Sequence, residues 1–297
     1  MLVSGSIGYI HLKNNIKNIH IFLDNHTNTK YCNNSNQIFL NDFIKKYILN
    51  NPKFCINKNC NLNIFLEELI DEKNMILLHK DSLHINKFLY FYKNILKNQY
   101  NQYTFPFDIR QFLNVIDIVL IINNIEKYKL LNCKYLFYYL NIILDLKLNL
   151  NEIDKYLIDK NNIKQINKIK KLLFTKFKNK NLIKHYKFLK KKALILYKKL
   201  NIIIKDCSKE NLIKLSELID NVMEFYCIVL IISNSETEII VYAGAYHCLN
   251  IANKLINNYK YKIMYNSTTI DITNLHSKYK NDNFLEKLDK YSNCIKL

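Results

Sequence analysis

Two short stretches of this sequence place a histidine just after a strand-like apolar run. In "GAYH" (Gly244–His247) the histidine follows a glycine and an alanine, and in "LDNH" (Leu23–His26) it follows Asp24 at two residues' remove. A histidine at such a corner can ligate a divalent metal or act as a general base, because neutral imidazole offers a lone pair near neutral pH. Asp24 with His26 supplies a carboxylate and an imidazole, donors that suit zinc, manganese or iron. The chain has three glycines and four alanines in all, yet Ala243, Gly244, Ala245 and Ala252 crowd into Glu238–Leu255. Small residues there let the backbone turn sharply and come close to a ligand or a neighbouring strand. Each corner also has a plainer reading. The small residues pack a tight strand-to-helix turn with His247 capping the helix, and "DNHTNTKYCNNSNQ" has the composition of a solvated loop.

Three further positions carry chemistry. Glu67 closes the run "NIFLE", where it is a third ligand, a base raised by burial, or simply an acid at a helix start beside Glu68 and Glu72. Asp108 and Arg110 flank Ile109, and in an extended strand they share a face and clamp an anionic group; a structural salt bridge is the rival reading. Arg110 is the only arginine among 44 basic residues. Its planar fork binds carboxylates in a way the abundant lysine does not.

The elements that would position these residues alternate. Strands are expected at 18–23, 62–68 and, from the Pro106 context, over 103–112, with another at "EIIVY" (238–242). Helices are expected at 38–49, 80–96, from Lys164 to about Ile204 as a lysine-rich pair, at 211–233, from about His247, and as a short pattern at 282–292. This alternation predicts an α/β fold with a central, mostly parallel sheet flanked by helices. In such sheets ligands bind beyond the carboxyl ends of the strands, where, if the strands lie side by side in parallel, Asp24, His26, Glu67, Asp108 with Arg110, Gly244 and His247 would converge. No repeat or linker breaks the chain, so one domain over 1–297 with a helical insertion at 120–210 is expected.

Composition bounds the rest. With 49% apolar residues the chain can bury a core. Its net charge of +19 is concentrated: residues 160–205 hold sixteen lysines and no acid, leaving +3 elsewhere. Phe174, Phe177, Tyr186, Phe188 and Tyr197 interleave these lysines, the pattern of a grip on nucleic acid or another acidic partner. An amphipathic hairpin with lysine on its wet face fits the same pattern. The eight cysteines are scattered without a CxxC pair, which predicts reduced thiols. The start lacks the charged and apolar regions of a signal peptide, and no apolar run spans a bilayer, so a cytoplasmic protein is expected.

Taken together, "LDNH", "IFLE", Asp108-Ile109-Arg110 and "YAGAYH" resemble the paired motifs of the superfamily of Tiki/TraB metalloproteases, ChaN haem-uptake proteins and erythromycin esterases. The nearer resemblance is to members from large cytoplasmic DNA viruses, whose motifs would map to Asp24, His26 and Cys32, Glu67, Asp108 with Arg110, and Gly244 with His247. A further element matches Glu224 and Tyr226 in "LIDNVMEFYCIVLI". The resemblance covers about residues 15–115 and 215–258. Leu23 departs from it, standing where that family has glycine, and a Cβ there would crowd a ligand. The resemblance implies an α/β hydrolase-like protein of a host cytoplasm. His26, Glu67 and His247 would be catalytic; Asp24, His26, Glu67 and His247 would hold a divalent metal (zinc, manganese or iron); Asp108, Arg110, Glu224, Tyr226 and Gly244 would bind substrate. A scaffold that has lost its chemistry is the alternative, and a nucleic-acid-binding protein acting through residues 160–205 is another.

Overall fold

The computed structural model describes residues 2–4, 6–24, 37–49, 62–70, 76–77, 103–150, 158–176, 179–200, 203–204, 207–268, 270–275 and 294–296. His26 and Cys32 lie outside them, as do the helices expected at 80–96 and 282–292. The chain divides into two compact units, Met1–Asp108 with Asn234–Leu297, and Ile109–Ser233. The helical insertion expected at 120–210 falls inside the second unit, whose bounds are wider.

The first unit contains strands β1 (Leu2–Ser4), β2 (Gly8–Lys13), β3 (Asn18–Asp24) and β4 (Gln37–Phe39), and helix α1 (Leu40–Phe43). Strands β5 (Leu62–Ile70), β6 (Ile76–Leu77) and β7 (Tyr103–Asp108) follow. The second unit holds α2 (Arg110–Leu113), α3 (Ile118–Asn123), α4 (Tyr138–Leu144), α5 (Lys160–Lys176), α6 (Lys180–Lys199) and α7 (Lys209–Ser233). The chain then returns to the first unit as β8 (Glu238–Gly244), α8 (Ala245–Tyr259), β9 (Lys262–Asn266) and β10 (Cys294–Lys296).

Seven strands form one mixed sheet in the order β6-β5-β8-β3-β2-β9, with β7 also paired to β5. Strands β3, β8, β5 and β7 run parallel to one another; β2 pairs antiparallel with β3 and β9, and β6 antiparallel with β5. The fold is α/β. All seven residues of β8 are buried, and β3 is buried beyond Asn18. Their near-continuous apolar runs are what central parallel strands require, since both faces are removed from water. Helix α8 packs on β2, β3 and β8. It ends at Lys260, left-handed at φ 63°, whose N–H returns to the Leu255 carbonyl.

Strand β2, between β3 and β9, was not expected, though its signal was present. "GYIHLKNNIKNIHIFL" is two apolar runs about an Asn-rich turn. The Asn14 side chain accepts from the backbone N–H groups of Ile16 and Lys17, closing that turn. Opposite Leu23 in this hairpin stands Gly8. A Cβ added to Gly8 would lie 3.1 Å from Leu23 Cδ2 and 2.8 Å from Thr268 Cγ2. The Leu23 side chain is thus taken up in the core, over Gly8, and is fully buried.

Two local expectations are corrected. Residues 38–49 do not form one helix: β4 leads into a single turn, α1, and then a π-helical stretch over Ile44–Leu49. The extended run stops at Asp108, because Ile109 turns to φ −98° and ψ 3° and Arg110 opens α2. In the second unit Cys133 and Cys207 are joined through their sulfurs, where reduced thiols were expected, and Cys227 is buried; Cys248 is buried in the first unit.

Candidate functional site

The parallel pairing brings the carboxyl ends of β3, β8 and β5 together. Asp24 lies in register with Gly244, and β5 pairs on the other side of β8 up to Leu66 opposite Tyr242. Beyond Leu66 the register of β5 with β7 shifts by one residue before Leu69. Glu67 sits within this bulge, an irregularity that re-aims a side chain relative to strict alternation.

The carboxylate of Glu67 reaches the end of β8. Its Oε2 accepts the backbone N–H of Gly244 at 2.7 Å, and its Oε1 stands 3.6 Å from His247 Nε2. Gly244 is the N-cap residue of α8 and has no side chain with which to cap it. Glu67 supplies that role from another strand, placing negative charge where the helix dipole and an unpaired donor favour it. Glu67 is 3% exposed and His247 8% exposed, so the pair is largely shielded from water. Tyr246, beside them, is 41% exposed and meets the His247 ring edge-on at 5.5 Å.

Asp24 is also buried, and its Oδ1 accepts from the Tyr242 hydroxyl at 3.4 Å. Burial, then the neighbouring Asp24 carboxylate, holds the Tyr242 phenol well above its ordinary pKa. Asp108 ends β7 and is buried. Arg110 does not share its strand face, since the strand ends before it. Instead the Arg110 Nη1 pairs with Asp220 Oδ1 at 3.2 Å within the second unit, both side chains about a quarter exposed. Asp108 and Arg110 therefore do not lie on one extended strand, and Arg110 makes a salt bridge with Asp220. Glu224 and Tyr226 are buried in α7, two residues and about 200° apart around the helix. Burial raises the Tyr226 hydroxyl to about 12.

A catalytic zinc is held by three protein donors. Among the described residues no group of three His, Cys, Asp or Glu side chains is placed to hold one. Glu67 Oε1 and His247 Nε2 are the two that converge. Their 3.6 Å separation is close to the roughly 3.4 Å between two ligands each about 2.05 Å from a tetrahedral ion. His26 is the remaining expected ligand and lies outside the described residues.

A second buried polar group was missed. Tyr9 Oη lies 2.7 Å from His20 Nδ1, His20 Nε2 lies 3.3 Å from Glu238 Oε2, and Asn18 Nδ2 donates to Glu238 Oε1 at 2.7 Å. The His11 ring stacks on His20 at 4.6 Å. Burial lowers His20 to about 3 and, with the neighbouring His20, His11 to about 4; burial raises Glu238 to about 7. This network occupies the amino ends of β3 and β8, six residues and about 20 Å along β8 from Gly244. The alternating Tyr9, His11 and His20 of the hairpin were its only trace in the sequence.

No family model matches this chain, and neither a curated protein nor a solved structure is similar to it. Among the described residues no helix is long and apolar enough to cross a membrane.

Proposed function

We propose that the carboxyl edge of the sheet is a His/Glu-assisted hydrolytic site, in a protein of the Tiki/TraB and erythromycin-esterase-like type. The observation that supports this reading is the Glu67–His247 pair, held at a strand end by the Gly244 N–H. Glu67 orients the imidazole through Nε2, and Nδ1 is the nitrogen that takes a proton from an attacking water. The hydrogen bond from the Gly244 N–H holds the carboxylate in place, so an imidazolium formed during the step is stabilised across 3.6 Å. Tyr246, exposed beside the pair, lies where a substrate would approach. A divalent ion bound here would supply a water of lowered pKa, with Glu67 and His247 as two of its ligands. Asp24, Asp108 and Gly244 line the same strand ends and shape the substrate's approach.

A scaffold without chemistry is the second reading. Glu67 as the cap of α8 is by itself a sufficient structural reason for a buried acid at this position. Hydrolysis of p-nitrophenyl esters and of a fluorogenic peptide pool, with metal content measured by elemental analysis, separates the two. The hydrolytic reading expects turnover that drops about 100- to 10,000-fold in His247→Ala with the circular dichroism spectrum retained. Turnover that survives in His247→Ala, or its absence in metal-reconstituted parent protein, favours the scaffold.

A further inference from the structure

We propose that helices α5 and α6 form a sequence-independent binding surface for single-stranded nucleic acid. On α5, Lys160, Lys164, Lys168 and Lys171 are all exposed, and on α6 so are Lys180, Lys184, Lys187 and Lys191. Spacings of three and four residues stack each set along one side of its helix, neighbours about 6 Å apart. Each stripe therefore runs about 16 Å. The inner lysines are treated differently. Lys170 and Lys190 converge from the two helices on Asp145, at 3.3 and 4.0 Å, whereas residues 160–205 contain no acid to relieve the outer stripes. Repeated like charges one turn apart oppose helix formation, and a bound polyanion removes that opposition.

The exposed aromatics choose the kind of polyanion. Phe188 is 59% exposed between Lys187 and Lys191, and Phe174 is 44% exposed beside Lys171. Phe174 also carries Lys170 over its ring at 5.7 Å. Aromatic rings set among lysines offer stacking platforms to unpaired bases of any sequence. A lipid surface fits less well. Membrane-lying helices present a continuous apolar face, but here Leu182, Tyr186, Leu189, Ala193 and Leu196 of α6 are buried in the protein. What remains outside is mostly lysine, with Phe174, Phe188 and Ile195 exposed singly and no continuous apolar face. This inference is independent of the Glu67–His247 reading.

The test is fluorescence anisotropy with the full-length protein and labelled 20-nucleotide oligothymidylate and oligouridylate, a 20-base-pair duplex, and phosphatidylserine vesicles. Expected is tight binding of the single strands in 50 mM salt that weakens linearly in log–log form as salt rises. The fourfold variant Lys180→Gln/Lys184→Gln/Lys187→Gln/Lys191→Gln makes that slope shallower by about 2–3, at about 0.7 per lost phosphate contact. Phe188→Ala weakens binding about tenfold while leaving the slope unchanged. These surface changes leave the buried faces intact, and circular dichroism confirms folding. Absence of oligonucleotide binding at 50 mM salt, binding indifferent to the fourfold variant, a duplex bound as tightly as the single strands, or capture by vesicles alone would each overturn the proposal.

Discussion

Removing the Glu67 carboxylate should unfasten the corner where β8 becomes α8. In Glu67→Ala the Gly244 N–H loses its charged acceptor in a site 3% exposed. Hydrogen bonds to charged groups contribute about 1.5–3 kcal/mol, and a buried donor left unpaired sits at the upper end of that range. The favourable placement of negative charge at the start of α8 is part of the same interaction, so it is not added separately. The expected loss is about 2–3 kcal/mol. Glu67→Gln retains a carbonyl oxygen for the Gly244 N–H and should lose only about 1 kcal/mol. Urea unfolding followed by circular dichroism gives the stabilities. Hydrogen exchange of the peptide containing Gly244 reports the corner itself, with faster exchange expected in Glu67→Ala than in Glu67→Gln. If Glu67→Ala stays within 0.5 kcal/mol of the parent and Gly244 exchange is unchanged, the carboxylate does not cap this helix and the reasoning fails.

The buried network at the amino end of the sheet predicts a pH dependence. His20, lowered to about 3, contributes stability that is complete above the ordinary 6.5 and is lost as pH falls toward 3. Glu238, raised to about 7, contributes stability that is complete below 4.5 and is lost as pH rises through 7. These two slopes cancel between 4.5 and 6.5, leaving His11, lowered to about 4, to weaken the fold gently on acidification there. Below 4.5 the decline steepens, and in His20→Gln that acid limb should flatten; unfolding midpoints indistinguishable from the parent between pH 3.5 and 5 would contradict it. At the hairpin, Gly8→Ala should cost about 1–3 kcal/mol, since its Cβ would meet Thr268 Cγ2 at 2.8 Å. Thr268→Ser removes that methyl and should recover part of the loss in the double variant, measured by thermal unfolding; strict additivity would refute the contact.

Much of the architecture was legible along the chain because it is written in local period. The apolar runs at 18–23, 62–68 and 238–242 became β3, β5 and β8, and the lysine-rich pair became α5 and α6, each from side-chain spacing that a strand or helix turns into one face. The corner at Gly244 was visible because small residues are so scarce elsewhere in the sequence. The acid-free stretch at 160–205 was equally plain. What local pattern does not carry is pairing between distant segments. That β8 lies between β3 and β5, so that Glu67 meets a backbone N–H 177 residues away, follows from which faces bury against which, and no spacing encodes it. The bulge that aims Glu67, the turn at Ile109 that gives Arg110 to Asp220, and the meeting of Tyr9, His20 and Glu238 are of the same kind. Residue type and period determined which elements form and which groups they end in. Only the closure of long loops against a shared core decided which of those groups touch, because that choice depends on three-dimensional packing, not on neighbours in sequence.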